Sequence, residues 1–299
     1  IYTVTFNPAI DYVIGLNQFN IGEVNRASKE QIFFGGKGIN VSWILNTLNV
    51  DSIALGFVAG FTGEAIEKGV SAQGIKTDCV FLDNGFSRLN VKMKSSKETE
   101  INGQGPQINE DDIQKLFTKL DNLKSGDTLV LAGSIPNTLP SDMYEKILKH
   151  LSNKGINFVV DATKDLLVNV LKYKPFLIKP NNHELAEIFN VELKSNNDIV
   201  TYAKKLQDMG ARNVLISMAG DGCILIDEFG KVYTRGVPYG QVINSVGAGD
   251  SMVAGFIAGY SQTHDYEYAL RLGTASGSAT AFSEGLAEKS KIDRLLQQL

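Results

Sequence analysis

Thr128-Leu129-Val130-Leu131-Ala132 is an unbroken apolar run, too short for a helix and without the alternation of a strand that has one wet face. Such a run reads as a strand buried on both sides, the kind found inside parallel sheets. The pattern recurs downstream at Phe158-Val159-Val160, Phe176-Leu177-Ile178 and Val214-Leu215-Ile216-Ser217, with amphipathic stretches between. Helix starts fall in those stretches: Asn109 precedes the acidic turn Glu110-Asp111-Asp112, and Pro140-Ser141-Asp142 opens a segment reaching Leu151. Strand and helix therefore alternate, and right-handed crossovers build from them an α/β core: a mainly parallel sheet with helices on both faces.

Two regions break the rhythm, at about 12–34 and 86–105, and both read as strands outside the main sheet. In the second, Leu89, Val91 and Met93 alternate with Arg88, Asn90, Lys92 and Lys94, which gives an apolar and a basic face. A ribbon of this kind fits a lid that covers a cleft with its polar face and needs a partner for the other. With no repeat and no Pro/Ser linker, the expectation is one domain over residues 1–299 with the lid strands inserted in it.

Composition narrows the function. A net charge of -4 argues against nucleic acid as a partner, since backbone phosphates demand a broad basic field. Cys79 and Cys223 are far apart and His150, His183 and His264 are scattered, so neither a disulfide framework nor a zinc site is expected. The segment Ile1 to Asn7 reads as a strand, and no run of about 18 apolar residues occurs. A cytoplasmic protein is expected.

The strongest chemical signal is Asn244-Ser245-Val246-Gly247-Ala248-Gly249-Asp250-Ser251, ahead of a small-residue helix. Glycines at a helix start let backbone N–H groups face an anion, and Asp250 in the first turn is placed to take a proton from a hydroxyl. Alone, the stretch is equally a glycine turn with a first-turn acid. The Walker pattern is absent, and Gly247-Ala248-Gly249 lacks the third glycine of a dinucleotide fingerprint. Gly35-Gly36-Lys37-Gly38-Ile39-Asn40 leads into another helix, bringing backbone close to a ligand with Lys37 as a point charge.

Lys179-Pro180-Asn181-Asn182-His183-Glu184 follows the run at 176–178, at the strand end where open α/β sheets bind ligands. Its lysine suits phosphate oxygens, and Asn181 and Glu184 suit a hydrated magnesium held through water. As a plain helix start, Glu184 instead stabilises the dipole. Asn7-Pro8-Ala9-Ile10-Asp11 and Gly133-Ser134-Ile135-Pro136 also follow strands. Ser217 with Ala219-Gly220-Asp221-Gly222 faces a nucleotide or makes a hairpin turn.

Together, Asn-Pro-Ala-Ile-Asp at 7, Gly-Gly-Lys-Gly-Ile-Asn at 35, Gly-Ser-Ile-Pro at 133, Lys-Pro-Asn at 179 and Val-Gly-Ala-Gly-Asp-Ser at 246 resemble, in order along the chain, the ribokinase-like PfkB family of carbohydrate kinases. The resemblance implies a three-layer α/β/α fold with a β-lid, transfer of phosphoryl from MgATP to a sugar hydroxyl, and a homodimer joined through the lids. Glu23-Val24-Asn25-Arg26 and Arg88-Leu89-Asn90-Val91-Lys92 resemble the branch acting on ketohexose phosphates, with fructose 1-phosphate phosphorylated at its 6-hydroxyl.

On this resemblance Asp250 is the general base and the amides from Gly247 through Ala248 and Gly249 to Asp250 stabilise the transferring group. Lys37, Arg88 and Arg26 hold the sugar's phosphate. Gly35, Gly36, Asp11, Asn40, Asn90 and Ser134 line the sugar. Lys179, Asn181, Glu184, Ser217, Gly220, Gly222 and Asn244 serve ATP and magnesium, and carbonyls near Asn244, Val246 and Gly285 are candidates for a monovalent cation. Phe34, where the family often has a small residue, and Asn137-Thr138, near a usual glycine, depart from the pattern in ways expected to touch substrate fit. Rival readings are a tagatose 6-phosphate kinase, a non-catalytic sugar-phosphate sensor, and a nicotinamide oxidoreductase disfavoured by the missing fingerprint.

Overall fold

The computed structural model describes all residues from Ile1 to Leu299. Its strands are β1 (Tyr2–Thr5), β2 (Ala9–Gly15), β3 (Lys29–Gly35), β4 (Ile53–Ala59), β5 (Lys76–Thr77), β6 (Val80–Leu82), β7 (Arg88–Lys94), β8 (Thr99–Asn102), β9 (Thr128–Ala132), β10 (Asn157–Asp161), β11 (Leu177–Ile178), β12 (Asn213–Ser217), β13 (Cys223–Ile226) and β14 (Val232–Arg235). The helices are α1 (Lys37–Thr47), α2 (Gly60–Ala72), α3 (Glu110–Leu120), α4 (Met143–Leu151), α5 (Lys164–Val168), α6 (Asn182–Phe189), α7 (Asn196–Asp208), α8 (Ala248–Thr263), α9 (Tyr266–Ala281) and α10 (Lys289–Leu296). None is long and apolar enough to cross a membrane.

The large sheet runs β14-β13-β12-β11-β10-β9-β1-β4-β5, with β6 also on β4. It is parallel from β12 to β5, and β13 and β14 add antiparallel. The unbroken apolar runs have the cause inferred for them. Leu129, Leu131, Phe158, Val160 and Ile178 enter one core with α3, α4, α6 and α7, while Val130, Val159 and Leu177 enter a second with α1, α8, α9 and α10. Each such buried side chain stabilises the fold by about 1.5–3 kcal/mol, so truncating Leu131 to alanine costs about 2–5 kcal/mol. Asn109 caps α3 with a full capping box, its side chain accepting from Asp112 N at 2.9 Å while Asp112 reaches back to Asn109 N.

The second sheet is β3-β2-β7-β8. Its central pair, β2 and β7, is parallel, and β3 and β8 flank them antiparallel. Cross-strand register aligns Ile10 with Phe34 and Leu89, Tyr12 with Ile32 and Val91, and Val91 with Ile101. All lie on one face by the period of two. Asp11 aligns with Asn90, and Val13 with Lys92, on the other. The apolar stripe read at 89–93 is thus one row of a wider apolar face, on which Ile32 is 60% and Ile101 59% exposed.

Near its base that face is covered. Ile10 and Phe34 pack with Ile39 and Trp43 of α1 and Ile66 and Val70 of α2 in a small third core. Phe34 therefore lies on the face opposite Asp11 and Asn90. Its contact is with α2 at position 69, so any effect of this departure on substrate fit would act through how the smaller sheet seats.

Candidate active site

The carboxyl ends of the parallel strands gather the signalled residues. β9 delivers Gly133 and Ser134, β11 delivers Lys179, and β12 delivers Ser217, whose N–H donates to Pro180 O at 3.2 Å. β1 leads through Asn7 to the smaller sheet, where Arg88 Nε donates to Asn7 O at 3.0 Å.

Two loops bring glycine to special backbone. Gly36 has φ 143°, and a side chain there would come within 2.3 Å of Thr5 Cγ2. Gly247 has φ 80°, left-handed backbone that favours glycine, and it starts α8 with no side-chain cap. The N–H groups of Gly249 and Asp250 have no hydrogen-bond partner and open at the helix N-terminus, where the dipole favours an anion. The N–H of Ala248 is instead turned to Ser245 O at 3.2 Å, so the expected row of amides is interrupted there. Ser251 fixes this turn through Gly247 O and Thr280, both at 2.8 Å.

Asp250 is buried and accepts from Asn40 Nδ2 at 2.8 Å, a contact joining α1 to α8. Burial and then the charge of Asp161 push its carboxyl up to about 7, against Asn40, Lys37 and Lys179, which favour the ionised form. Lys179 is almost wholly buried, with Nζ 3.2 Å from Asp161 Oδ1. Burial disfavours its charge, but Asp161, Glu184 and Asp250 outweigh burial and hold its pKa above the ordinary lysine value. Removing one member of such a buried pair costs about 3–5 kcal/mol, because the other is left charged and unpaired. Gly249 makes room for the ammonium, since a side chain there would stand 3.3 Å from Nζ.

On the smaller sheet's polar face Asp11 accepts from Asn90 Nδ2 at 2.7 Å and pairs with Lys92 Nζ at 3.2 Å. Asn90 is buried, and its Oδ1 has no partner. Gly35 lies over Asp11, at 3.3 Å from Oδ2 by the position a side chain would take. Lys37, first residue of α1, runs past Gly133.

Several expected residues have local roles in the structure or no contact at all. Arg26 is exposed in the β2–β3 loop and makes no hydrogen bond or ion pair. Asn181 is the N-cap of α6 rather than part of its face: it accepts from Glu184 N at 2.8 Å, and Glu184 Oε2 accepts from Asn181 N at 2.7 Å. The plain helix-start reading thus holds locally, and the second carboxylate oxygen of Glu184 makes no hydrogen bond. Gly222 is held by a backbone need, since a side chain would meet Arg235 O at 2.0 Å, whereas Gly220 faces open space. Asn244 braces its own turn, accepting from Val246 N at 3.1 Å and donating to Glu284 O at 3.0 Å. Asp161 was not singled out in the sequence, and Lys92, read there on the basic face and in the motif at 88–92, was given no role of its own. A lone carboxylate ending the apolar run at 158–160, on the ligand side of the sheet, was the signal for the first.

A doubly wound sheet with an aspartate under free helix amides, faced by a small basic sheet, is the architecture of a sugar kinase, and the chain belongs to the pfkB family of carbohydrate kinases, which it matches over residues 4–293. It is similar to 1-phosphofructokinase of Bacillus subtilis (strain 168), 47% identical over 300 residues with 100% of this chain and 98% of the relative covered. It is also similar to D-tagatose-1-phosphate kinase of Bacillus licheniformis, 36% identical over 300 residues with 100% and 98% covered. Among solved structures, phosphofructokinase-2 from Escherichia coli in complex with potassium superposes with a TM-score of 0.92 at 25% identity, covering 99% of this chain and 98% of that one.

Proposed function

We propose that this kinase transfers the γ-phosphoryl group of MgATP to the 6-hydroxyl of fructose 1-phosphate, yielding ADP and fructose 1,6-bisphosphate. The observation that carries the reading is the Asn40–Asp250 contact, which places a buried carboxylate of raised basicity beside the unpartnered amides of Gly249 and Asp250. The 47% identical relative supports the choice of substrate.

In the reaction Asp250 accepts the 6-hydroxyl proton as the oxygen attacks γ-phosphorus, and a pKa near operating pH suits a base that must take and return a proton. The Gly249 and Asp250 amides hold the charge of the transferring group, and Lys179 meets phosphate oxygens from the sheet side. Asp11 and Asn90 fix sugar hydroxyls, with Asn40 orienting Asp250. Arg88, Lys92 and Lys37 supply charge-assisted contacts to the 1-phosphate. Magnesium arrives with ATP as part of the substrate. Asp161 and the free oxygen of Glu184, both acting on Lys179, are the hard oxygen donors suited to a hydrated ion, while Asn181 orients Glu184.

The apolar face of the smaller sheet supports a homodimer in which two such faces meet about a two-fold axis. The potassium-bound neighbour supports a monovalent cation at the loop carrying Asn244 and Val246, which Asn244 ties to the segment before Gly285. The similarity to D-tagatose-1-phosphate kinase favours D-tagatose 1-phosphate as a second substrate.

The test is ADP release with fructose 1-phosphate, fructose 6-phosphate, D-tagatose 1-phosphate, tagatose 6-phosphate and free fructose. Fructose 1-phosphate is expected to give the highest kcat/KM. Equal turnover of free fructose removes the phosphate-binding assignment, and no turnover of any sugar would leave the sensor reading standing.

A further inference from the structure

Gly69 sits inside α2, where glycine is a poor helix former, and no turn or left-handed backbone calls for it. The contact that explains it comes from the smaller sheet. A side chain at position 69 would stand 2.0 Å from Cε2, 2.2 Å from Cδ2 and 2.7 Å from Cζ of Phe34. These are atoms of a rigid ring that is half-buried and packs against the small core of Ile10, Ile39, Ile66 and Val70. A side chain at position 69 therefore requires the ring, or the strand that carries it, to shift.

Phe34 is joined directly to the loop that forms the floor of the sugar side. The next residue, Gly35, lies over Asp11, Gly36 is pressed on Thr5, and Lys37 begins α1. Across the sheet Phe34 pairs with Ile10, the neighbour of Asp11.

We propose that Gly69 is a positioning residue for the sugar-phosphate site: its missing side chain is the socket in which Phe34 seats the smaller sheet, and this contact sets where Asp11, Gly35 and Lys37 stand relative to Asp250. The inference rests on the reading that the polar face of that sheet takes the sugar phosphate. It makes positions 34 and 69 a matched pair, a large residue in the strand requiring none on the helix.

The experiment is a pair of variants, Gly69→Ala and the double Gly69→Ala/Phe34→Val, compared with wild type. Gly69→Ala is expected to lower kcat/KM for fructose 1-phosphate by about tenfold or more, since small misplacements of substrate groups are costly. The loss should appear in KM for the sugar phosphate, with KM for MgATP unchanged within about twofold. Amide hydrogen exchange over residues 29–35 should quicken by about tenfold, a readout that needs no substrate. The double variant should recover both. Wild-type kinetics and exchange in Gly69→Ala, or a double variant no better than the single, would overturn the proposal. If Gly69→Ala does not fold, the double variant decides: folded with near wild-type KM it supports the socket, and impaired or unfolded it refutes it. If the wild type turns over no ketohexose phosphate, the substrate reading falls, and the exchange measurements alone judge the contact between Gly69 and Phe34.

Discussion

Asp250→Asn should yield a protein that is nearly inactive and yet harder to unfold. Asparagine keeps the acceptor that faces Asn40 Nδ2 and nearly the same volume, so the change removes charge and little else. Inside the fold the carboxyl is pushed from 3.8 to about 7, chiefly by burial. Three units at about 1.36 kcal/mol each amount to a penalty on the order of 4 kcal/mol for carrying the carboxylate in place. Between pH 3.8 and 7 the folded carboxyl keeps a proton that the unfolded chain has released, so its contribution to stability is whole below that window and is lost as pH rises through it. At pH 8 the variant is therefore expected to gain about 2–4 kcal/mol, seen as a melting temperature roughly 3–6 °C higher, and at pH 4 to differ little. Turnover should fall by about 10²-fold or more, as loss of a general base does. Calorimetry at the two pH values beside steady-state ADP release makes the comparison. A variant that melts below wild type at pH 8 would show that the carboxylate is not under strain, and one that keeps wild-type turnover would remove Asp250 from the chemistry.

The same carboxyl fixes the acid limb of the pH profile: kcat/KM should drop about tenfold per unit below a midpoint near 7, and a profile flat down to pH 5 would contradict the assignment. Replacing Val91 and Ile101 with aspartate, paired on the apolar face of the smaller sheet, should give monomers with a raised KM for the sugar phosphate. Sedimentation checks this, and a wild type that is monomeric at micromolar concentration would mean the face has no second copy to cover it.

The core was legible because burial on both faces leaves a direct mark on sequence: the runs at 128–132 and 158–160 have no polar side to show. The smaller sheet was legible at 88–94 for the converse reason, since one face is apolar and the other carries Arg88, Asn90 and Lys92. What failed to show is set by contacts between elements distant in the chain. Nothing local marks Asp161 as partner to Lys179, and nothing around Gly69 announces the ring of Phe34. At Asn181 and Glu184 the spacing fitted both a metal site and a capping box, and the backbone took both side chains first. Arg26, chosen by resemblance, is exposed on a loop without a contact to fix it.

The parallel pairing of β2 with β7 also orders events in time. Two neighbouring parallel strands cannot be joined by a tight turn, and here the connection is residues 16–87, which include α1, β4 and α2. Closing so long a segment costs chain entropy before the pair returns any contact, and non-local pairings of this kind fold slowly. Asp11 is made early on the ribosome but waits for Asn90 and Lys92, and β8 must follow before the sheet has its outer edge. All four strands of the smaller sheet nevertheless precede β9, and β1 must close a still longer segment, residues 6–127, to pair with it, so the smaller sheet can be complete before the main sheet is.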